Sequence, residues 1–220
     1  MILQIAGILD ADTVEKIRDS LITEPAAFTA GKATAGWHAK DVKHNDQASG
    51  VVASKVMEQV KTALMANAVF VSAARPKSFV KTLVSRYRPG MQYGTHVDDA
   101  LMGGIRTDMS FTLFLTEPRS YDGGELIIEA PDGETDVKLE PGSVVLYPTT
   151  SLHRVNEVTR GERFAVVGWV RSFIRSAEQR ETLFDLDQVV AQLKATGAER
   201  SVMNPVLKIR STLTRMWAED

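Results

Sequence analysis

The sequence predicts a mainly β fold with flanking helices, its core an antiparallel double sheet or barrel of the jelly-roll or cupin kind. Between Ser78 and Gly168, short β-prone runs recur with tight-turn residues between them, the spacing expected of such a core. No segment inside that stretch has helical periodicity, whereas a parallel sheet would need helices between its strands. Apolar residues at helical spacing occur only on either side of it.

From the amino terminus, Ile2 to Leu9 reads as a short strand, and Asp10 offers a cap for a helix in which Val14, Ile17 and Leu21 share a face. Thr29 to Gly50 is polar, rich in Gly, Ala, Lys and Asp with Trp37 near its middle, and reads as a loop or lid. A second amphipathic helix is expected from Val51 to about Ala68, with Val52, Val56, Val60 and Leu64 in one row backing a sheet. The predicted strands are Phe79 to Tyr87, Asp108 to Leu115, Glu125 to Glu129, Thr135 to Leu139, Ser143 to Tyr147, His153 to Val158 and Arg163 to Val170. Arg88-Pro-Gly, Asp122-Gly-Gly, Pro131-Asp-Gly, Pro141-Gly and Arg160-Gly punctuate them. After Phe173 the pattern is helical: Leu183, Leu186, Val190 and Leu193 mark one helix, broken around Gly197. Asn204-Pro205 then starts another, carrying Leu207, Leu213, Met216 and Trp217. The expected organisation is residues 1–77 as a helix and strand support with a polar lid loop, 78–172 as the core and 173–220 as a helical hairpin.

Composition narrows the function. With 26 basic and 28 acidic side chains and a formal net charge of -2, neither nucleic acid nor an anionic membrane is the expected partner. Without cysteine there is no disulfide framework, iron–sulfur cluster or thiolate zinc site, so a metal would be held by His, Asp and Glu. The apolar residues at the amino terminus give way to acidic ones too early for a signal peptide, and no segment approaches a membrane span. A cytoplasmic protein is the expectation.

Two of the four histidines begin an H-x-D, His44-Asn-Asp46 and His96-Val-Asp98. The first lies in a polar stretch without strand periodicity and reads as a solvated turn. The second follows the aromatic, glycine-rich run from Tyr87 to Tyr93. On a strand, His96 and Asp98 would share a face, because side chains alternate. His153, after the strand Ser143 to Tyr147 and a proline turn, can complete a set of two imidazoles and one carboxylate. Such a facial triad leaves positions open on a metal, as non-haem iron(II) oxygenases require, and zinc is the competitor.

Arg163, ten residues on, begins the strand Phe164-Ala-Val-Val-Gly-Trp169 and can hold a carboxylate by paired charge-assisted bonds. If the strands of His153 and Arg163 form a hairpin, the two residues lie four to six positions apart, roughly 13 to 20 Å. That length suits a metal–imidazole bond, a five-carbon diacid and an arginine end to end, and so 2-oxoglutarate. In such a hairpin Arg163 must pair with an odd-numbered residue, Val155, Glu157 or Thr159, for both side chains to share a face.

Together these residues resemble the iron(II)- and 2-oxoglutarate-dependent dioxygenases of the prolyl 4-hydroxylase superfamily, and more narrowly the bacterial PKHD-type hydroxylases. The likeness runs through Gly31-Lys-Ala-Thr-Ala-Gly36, Val42-Lys-His-Asn45, Tyr87 to Asp98, Arg106 to Leu115, Tyr121-Asp-Gly-Gly-Glu-Leu126, Pro141 to Pro148, Leu152-His-Arg-Val155, Val158 to Arg163 and Leu183-Phe-Asp-Leu-Asp187. It implies a double-stranded β-helix core with His96, Asp98 and His153 as iron ligands and Arg163 as partner of the distal carboxylate of 2-oxoglutarate. Tyr87 and Tyr93 would line the cosubstrate and substrate pocket. Oxygen-sensing animal relatives place a tyrosine near Phe114, which has no hydroxyl, so Thr112 or a water would serve. The activity implied is hydroxylation of an unactivated C–H bond, of a prolyl or other amino-acid residue, with O2 and 2-oxoglutarate consumed and succinate and CO2 released. Ascorbate is implied as reductant, and the tail can bury an apolar face against a second copy to make a homodimer. The rival readings are a non-catalytic cupin-like metal- or ligand-binding module and a zinc hydrolase on the same triad; the latter leaves Arg163 and the tyrosines unexplained.

Overall fold

The computed structural model describes residues 1–23, 27–34, 36, 39–130 and 133–220. Trp37 and the turn at Pro131-Asp132 lie outside them. In chain order the strands are β1 (Leu3–Ile5), β2 (Ala27–Ala30), β3 (Lys43–His44), β4 (Asp46–Ser49), β5 (Pro76–Tyr87), β6 (Gln92–His96), β7 (Leu101–Met102) and β8 (Ile105–Arg106). They continue as β9 (Met109–Phe114), β10 (Asp122–Gly123), β11 (Leu126–Ala130), β12 (Gly133–Val137), β13 (Val144–Pro148), β14 (His153–Val155), β15 (Val158–Arg160) and β16 (Arg163–Ser172). The α-helices are α1 (Ala11–Thr23), α2 (Gly50–Ala66), α3 (Ala68–Ala74), α4 (Ala177–Ala195) and α5 (Arg200–Trp217).

Two antiparallel sheets face each other. The larger has the order β1-β13-β9-β16-β5-β4-β2 and the smaller β12-β11-β14-β6-β3, the jelly-roll architecture expected. Strand alternation divides the large sheet cleanly. Val84, Phe111, Leu113, Phe164, Val166 and Val170 point outward into a core with Val14, Ile17 and Leu21 of α1, Val56, Val60 and Leu64 of α2 and Phe70 of α3. The residues between them turn inward, and a second cluster with Tyr87, Phe114, Val145, Tyr147 and Val158 closes the space between the sheets. With both faces covered, every residue of β9 is buried although Ser110 and Thr112 are polar.

Several expectations are corrected in detail. The stretch 29–50 is not all loop: β2 pairs with β4 and β4 with β5, while β3 pairs with β6, so the amino-terminal region supplies strands to both sheets. His44-Asn-Asp46 is accordingly strand edge rather than solvated turn; Asp46 pairs with Arg86 at 2.7 Å and Arg88 at 3.1 Å, and His44 Nδ1 lies 3.1 Å from Gly90 O. The second helix ends at Asn67, whose side chain accepts from Phe70 N at 2.9 Å and so caps a further short helix, α3. The last helix begins at Arg200, not Asn204, and carries Pro205 inside it. The segment from 153 to 158 breaks into β14 and β15, which lie in different sheets.

A half-buried carboxylate ties the two carboxy-terminal helices to α3 and its C-cap. Asp187 of α4 accepts from Ser72 Oγ, from Arg75 Nη2 at 2.7 Å and from Arg210 Nε of α5. That carboxylate is held below its usual range: burial pushes it up, and the bonds from Arg210, Ser72 and Arg75 outweigh burial. Among the described residues no helix is long and apolar enough to cross a membrane.

Candidate metal centre and adjoining pocket

The smaller sheet assembles the donors. His96 ends β6 and His153 begins β14, and the two are register partners, which sets their rings 4.2 Å apart by centroid. Asp98 follows two residues after the strand end. Its Oδ1 lies 3.9 Å from His96 Nε2 and its Oδ2 3.8 Å from His153 Nε2, and one donor atom from each residue falls within 4.8 Å of the others. Among the described residues this is the one such group of three.

Each donor is oriented. His96 Nδ1 lies 2.9 Å from Gly94 O and His153 Nδ1 3.0 Å from Ser151 O. A carbonyl only accepts, so both Nδ1 atoms carry the hydrogen and both Nε2 lone pairs face the cluster, the tautomer a metal needs. Ser110 Oγ of the large sheet donates to Asp98 Oδ2 at 2.6 Å. Tyr93 stacks on His96 at 3.6 Å, and Tyr147 meets His153 edge-on at 5.1 Å. Burial raises the Tyr147 phenol well above its ordinary value, helped by the Asp98 charge and opposed by a hydrogen bond with Thr112. Burial likewise raises Tyr93, so both phenols stay protonated at neutral pH.

Arg163 lies at the other end of the same pocket. It opens β16 opposite Tyr87, is 1% exposed, and among the described residues its Nε, Nη1 and Nη2 make no hydrogen bond of good geometry. Its guanidinium lies against the rings of Tyr87 (5.3 Å) and Phe114 (5.1 Å). The buried Tyr121 hydroxyl lies beside it too: burial raises that phenol, and the Arg163 charge and a loose hydrogen bond to it oppose the rise, although no bond of good geometry joins the two. The hairpin assumed for His153 and Arg163 does not form: Arg163 pairs with Tyr87, and β14 pairs with β11 and β6. The two residues instead face one pocket from opposite sheets. The span lies along β16 itself, six residues or about 20 Å from Arg163 to Trp169. Trp169 pairs with Ser110, the residue holding Asp98.

Thr112 and Tyr87 also line the pocket, and Tyr87 packs in the inner core as well. The lining residues that escaped the sequence reading include Lys43, Lys81, Ser110, Tyr147 and Trp169. Ser110 and Thr112 alternate with Phe111 and Leu113, a signal that one face of an otherwise apolar strand looks onto something polar. Lys43 sits on a strand of two residues, too short to show a period.

Two tests arise from this packing. Gly124 has φ +68°, and a Cβ there would lie 3.1 Å from Arg163 Cδ and 2.9 Å from Val158 Cγ2. Gly124→Ala is expected to cost about 1–3 kcal/mol through left-handed backbone strain and crowding. It should also weaken binding of any anion at Arg163; a lowered melting temperature with unchanged 2-oxoglutarate affinity would separate Gly124 from that site.

Lys43 is 5% exposed, and burial, with the neighbouring charge of Lys81, lowers its ammonium to about 8 against an opposing pull from Asp98. Because the folded value lies below the unfolded one, the destabilisation is complete below pH 8 and fades as pH rises toward the ordinary lysine range. Lys43→Met should therefore raise stability at pH 7 by up to about 3 kcal/mol. Urea titrations at pH 7 and 10.5 check the gap, which should narrow at the higher pH.

Comparison with known proteins agrees with this geometry. Residues 82–171 match the 2OG-Fe(II) oxygenase superfamily. The chain is 51% identical over 221 residues to a PKHD-type hydroxylase of Maricaulis maris and 52% over 222 residues to one of Parvibaculum lavamentivorans, covering 100% of both chains in each case. The fold is shared with a Pseudomonas putida prolyl-4-hydroxylase (TM-score 0.56, 22% identity, 78% of this chain and 92% of that one). It is shared too with a Trichoplax adhaerens prolyl hydroxylase solved with a hypoxia inducible factor peptide fragment (TM-score 0.60, 12% identity, 83% and 86%). The donor cluster sits within the matched segment, and the likeness to the curated relatives spans the whole chain: this protein belongs to the PKHD-type hydroxylases of the 2OG-Fe(II) oxygenase superfamily.

Proposed function

We propose that His96, Asp98 and His153 hold iron(II), that Arg163 binds the distal carboxylate of 2-oxoglutarate, and that the pocket between them is where a substrate C–H bond is hydroxylated. The observation that carries this reading is the pairing, in one pocket, of a two-histidine, one-carboxylate cluster with a fully buried guanidinium that has no carboxylate partner and no hydrogen bond of good geometry among the described residues. A buried cation without an acceptor is costly, and a carboxylate with its fork of two oxygens is the natural complement.

The residues divide the work. His96 and His153 present neutral Nε2 atoms and Asp98 an oxygen, which suits a borderline or hard divalent ion. When bound, iron(II) and 2-oxoglutarate supply the oxidative chemistry: O2 is consumed, the 2-oxo acid becomes succinate and CO2, and an oxygen atom enters the substrate C–H bond. Arg163 fixes one end of the diacid, and the Tyr87 and Phe114 rings exclude water from that end. Thr112 and the Tyr147 phenol stand along the wall between, where they can bond a carboxylate oxygen. No side chain is asked to move a proton as a general base. On the family resemblance we also take ascorbate as the reductant and an amino-acid residue, prolyl or other, as the hydroxylated group.

The test is anaerobic addition of iron(II) and then 2-oxoglutarate to metal-free protein. A weak visible charge-transfer band is expected, and its absence in folded protein overturns the reading. Metal uptake without the band, and without succinate formation in air, would instead identify a non-catalytic binding module.

A further inference from the structure

Beyond the metal cluster and Arg163, the pocket holds two more cations, and they come from opposite walls. In the large sheet, Lys81 of β5 pairs with Trp169, Trp169 with Ser110, and Ser110 with Tyr147, one row across four strands. Ser110 is the residue that holds Asp98. Two strand spacings separate it from Lys81, about 10 Å at the backbone. In the small sheet, Lys43 of β3 pairs with Tyr93, and Tyr93 with Val155, a row whose side chains also line the pocket. Lys43 Nζ lies 5.0 Å from the centre of the Tyr93 ring, which itself stacks on His96. Both lysines line the pocket that holds the metal cluster, on its β3 and β5 side, near enough for the charge of Lys81 to bear on Lys43.

Among the described residues neither makes an ion pair. Lys43 donates to Thr34 Oγ1 at 3.2 Å, and that hydroxyl is already engaged with Gln47 Oε1 and Gly31 O. Lys81 makes no hydrogen bond or ion pair among the described residues. Two carboxylates line the pocket as well: Asp98, which belongs to the cluster and accepts from Ser110, and its neighbour Asp99, which has interactions of its own. Two like charges facing across a partly dry pocket repel, and an anion between them relieves both that repulsion and the desolvation. Under the proposed function 2-oxoglutarate is not that anion: its distal carboxylate sits on Arg163, and its other carboxylate would lie at the metal cluster.

We propose that Lys43 and Lys81 form a carboxylate-binding subsite beside the metal, which selects substrates bearing an acidic group close to the C–H bond to be hydroxylated. The assignment rests on reading the pocket as the hydroxylase site. It accommodates either a small free acid or the acidic side chain of a peptide, since both present the same carboxylate.

The experiment uses full-length protein loaded anaerobically with manganese(II) and 2-oxoglutarate. Calorimetry follows two kinds of matched probe: N-acetyl amino acids against their carboxamides, and blocked tetrapeptides with aspartate against those with asparagine. At least one carboxylate is expected to bind on the order of tenfold more tightly than its amide partner. That preference should vanish in both Lys43→Met and Lys81→Met, while 2-oxoglutarate affinity stays within about threefold of wild type. Preference in the first pair alone points to a small acid, and in the second alone to a peptide. Equal binding or no binding of carboxylate and amide overturns the subsite, as does a preference that survives both substitutions or a fall in 2-oxoglutarate affinity in the variants. Failure of the wild type to take up 2-oxoglutarate is seen before any probe is added, and overturns the hydroxylase reading first.

Discussion

Asp98→Ala is expected to abolish iron(II) binding and to lower succinate formation by on the order of a thousandfold or more. Asp98 is the anionic member of the cluster, placed 3.9 and 3.8 Å from the two Nε2 atoms. Without it, the two imidazoles offer a divalent cation no charge compensation and too few donors to fix an open-faced geometry. The loss should not come from unfolding. Among the described residues Asp98 makes no ion pair with a lysine or arginine, and its pull on Lys43 is the smallest of the influences on that ammonium, so metal-free variant should melt close to metal-free wild type. Ser110→Ala gives the graded counterpart: removing the 2.6 Å bond to Oδ2 leaves three donors but frees one of them. Orienting partners of this kind are worth about 10- to 100-fold in metal affinity. Elemental analysis and melting curves of the two variants decide the matter, and stoichiometric iron retained by Asp98→Ala would remove it from the centre.

The contrast between the two residues shows what a sequence can and cannot reveal about such a site. His96, Asp98, His153 and Arg163 were legible because each stands out chemically against a β-prone background. Their spatial relation was not. Periodicity gives the face a side chain points to, but it does not say whether successive strands pair with each other or cross to opposite sheets. The chain crosses between Val155 and Val158, so Arg163 meets Tyr87 instead of any residue near His153. The pocket face of the large sheet was half visible in the alternation of Ser110 and Thr112 with Phe111 and Leu113. Lys43 was invisible for a physical reason: a strand of two residues carries no period, and a lysine in a polar run looks solvated until the sheet closes over it. Helix ends were misread in a different way. Asn67, unread inside one expected helix, caps a second one, and Asn204-Pro205, read as a helix start, is absorbed into the interior of another.

Arg163→Met is expected to make the protein more stable and worse at binding 2-oxoglutarate. Arg163 is 1% exposed, and among the described residues its three nitrogens make no hydrogen bond of good geometry and no ion pair. Desolvating it costs several kcal/mol, and two ring contacts beyond 5 Å return about 0.5–2 kcal/mol between them. Methionine has a flexible apolar side chain that can fill most of the space, so cosubstrate-free variant should gain about 1–4 kcal/mol. Binding moves the other way. Loss of a bidentate, desolvated carboxylate contact costs about 2–5 kcal/mol, or roughly 30- to several-thousand-fold in affinity. The two effects combine into one measurement, because a ligand that binds only the folded state stabilises it by about 2.7 kcal/mol at a hundred times its dissociation constant. Melting temperatures recorded against 2-oxoglutarate concentration should therefore cross, the variant higher at zero ligand and the metal-loaded wild type overtaking it as the acid is added. Arg163→Lys should keep the burial penalty without the planar fork, and so lie below wild type across the series. A variant that melts lower than wild type without ligand would mean that Arg163 is satisfied within the fold, and an unshifted ligand dependence would place the carboxylate elsewhere in the pocket.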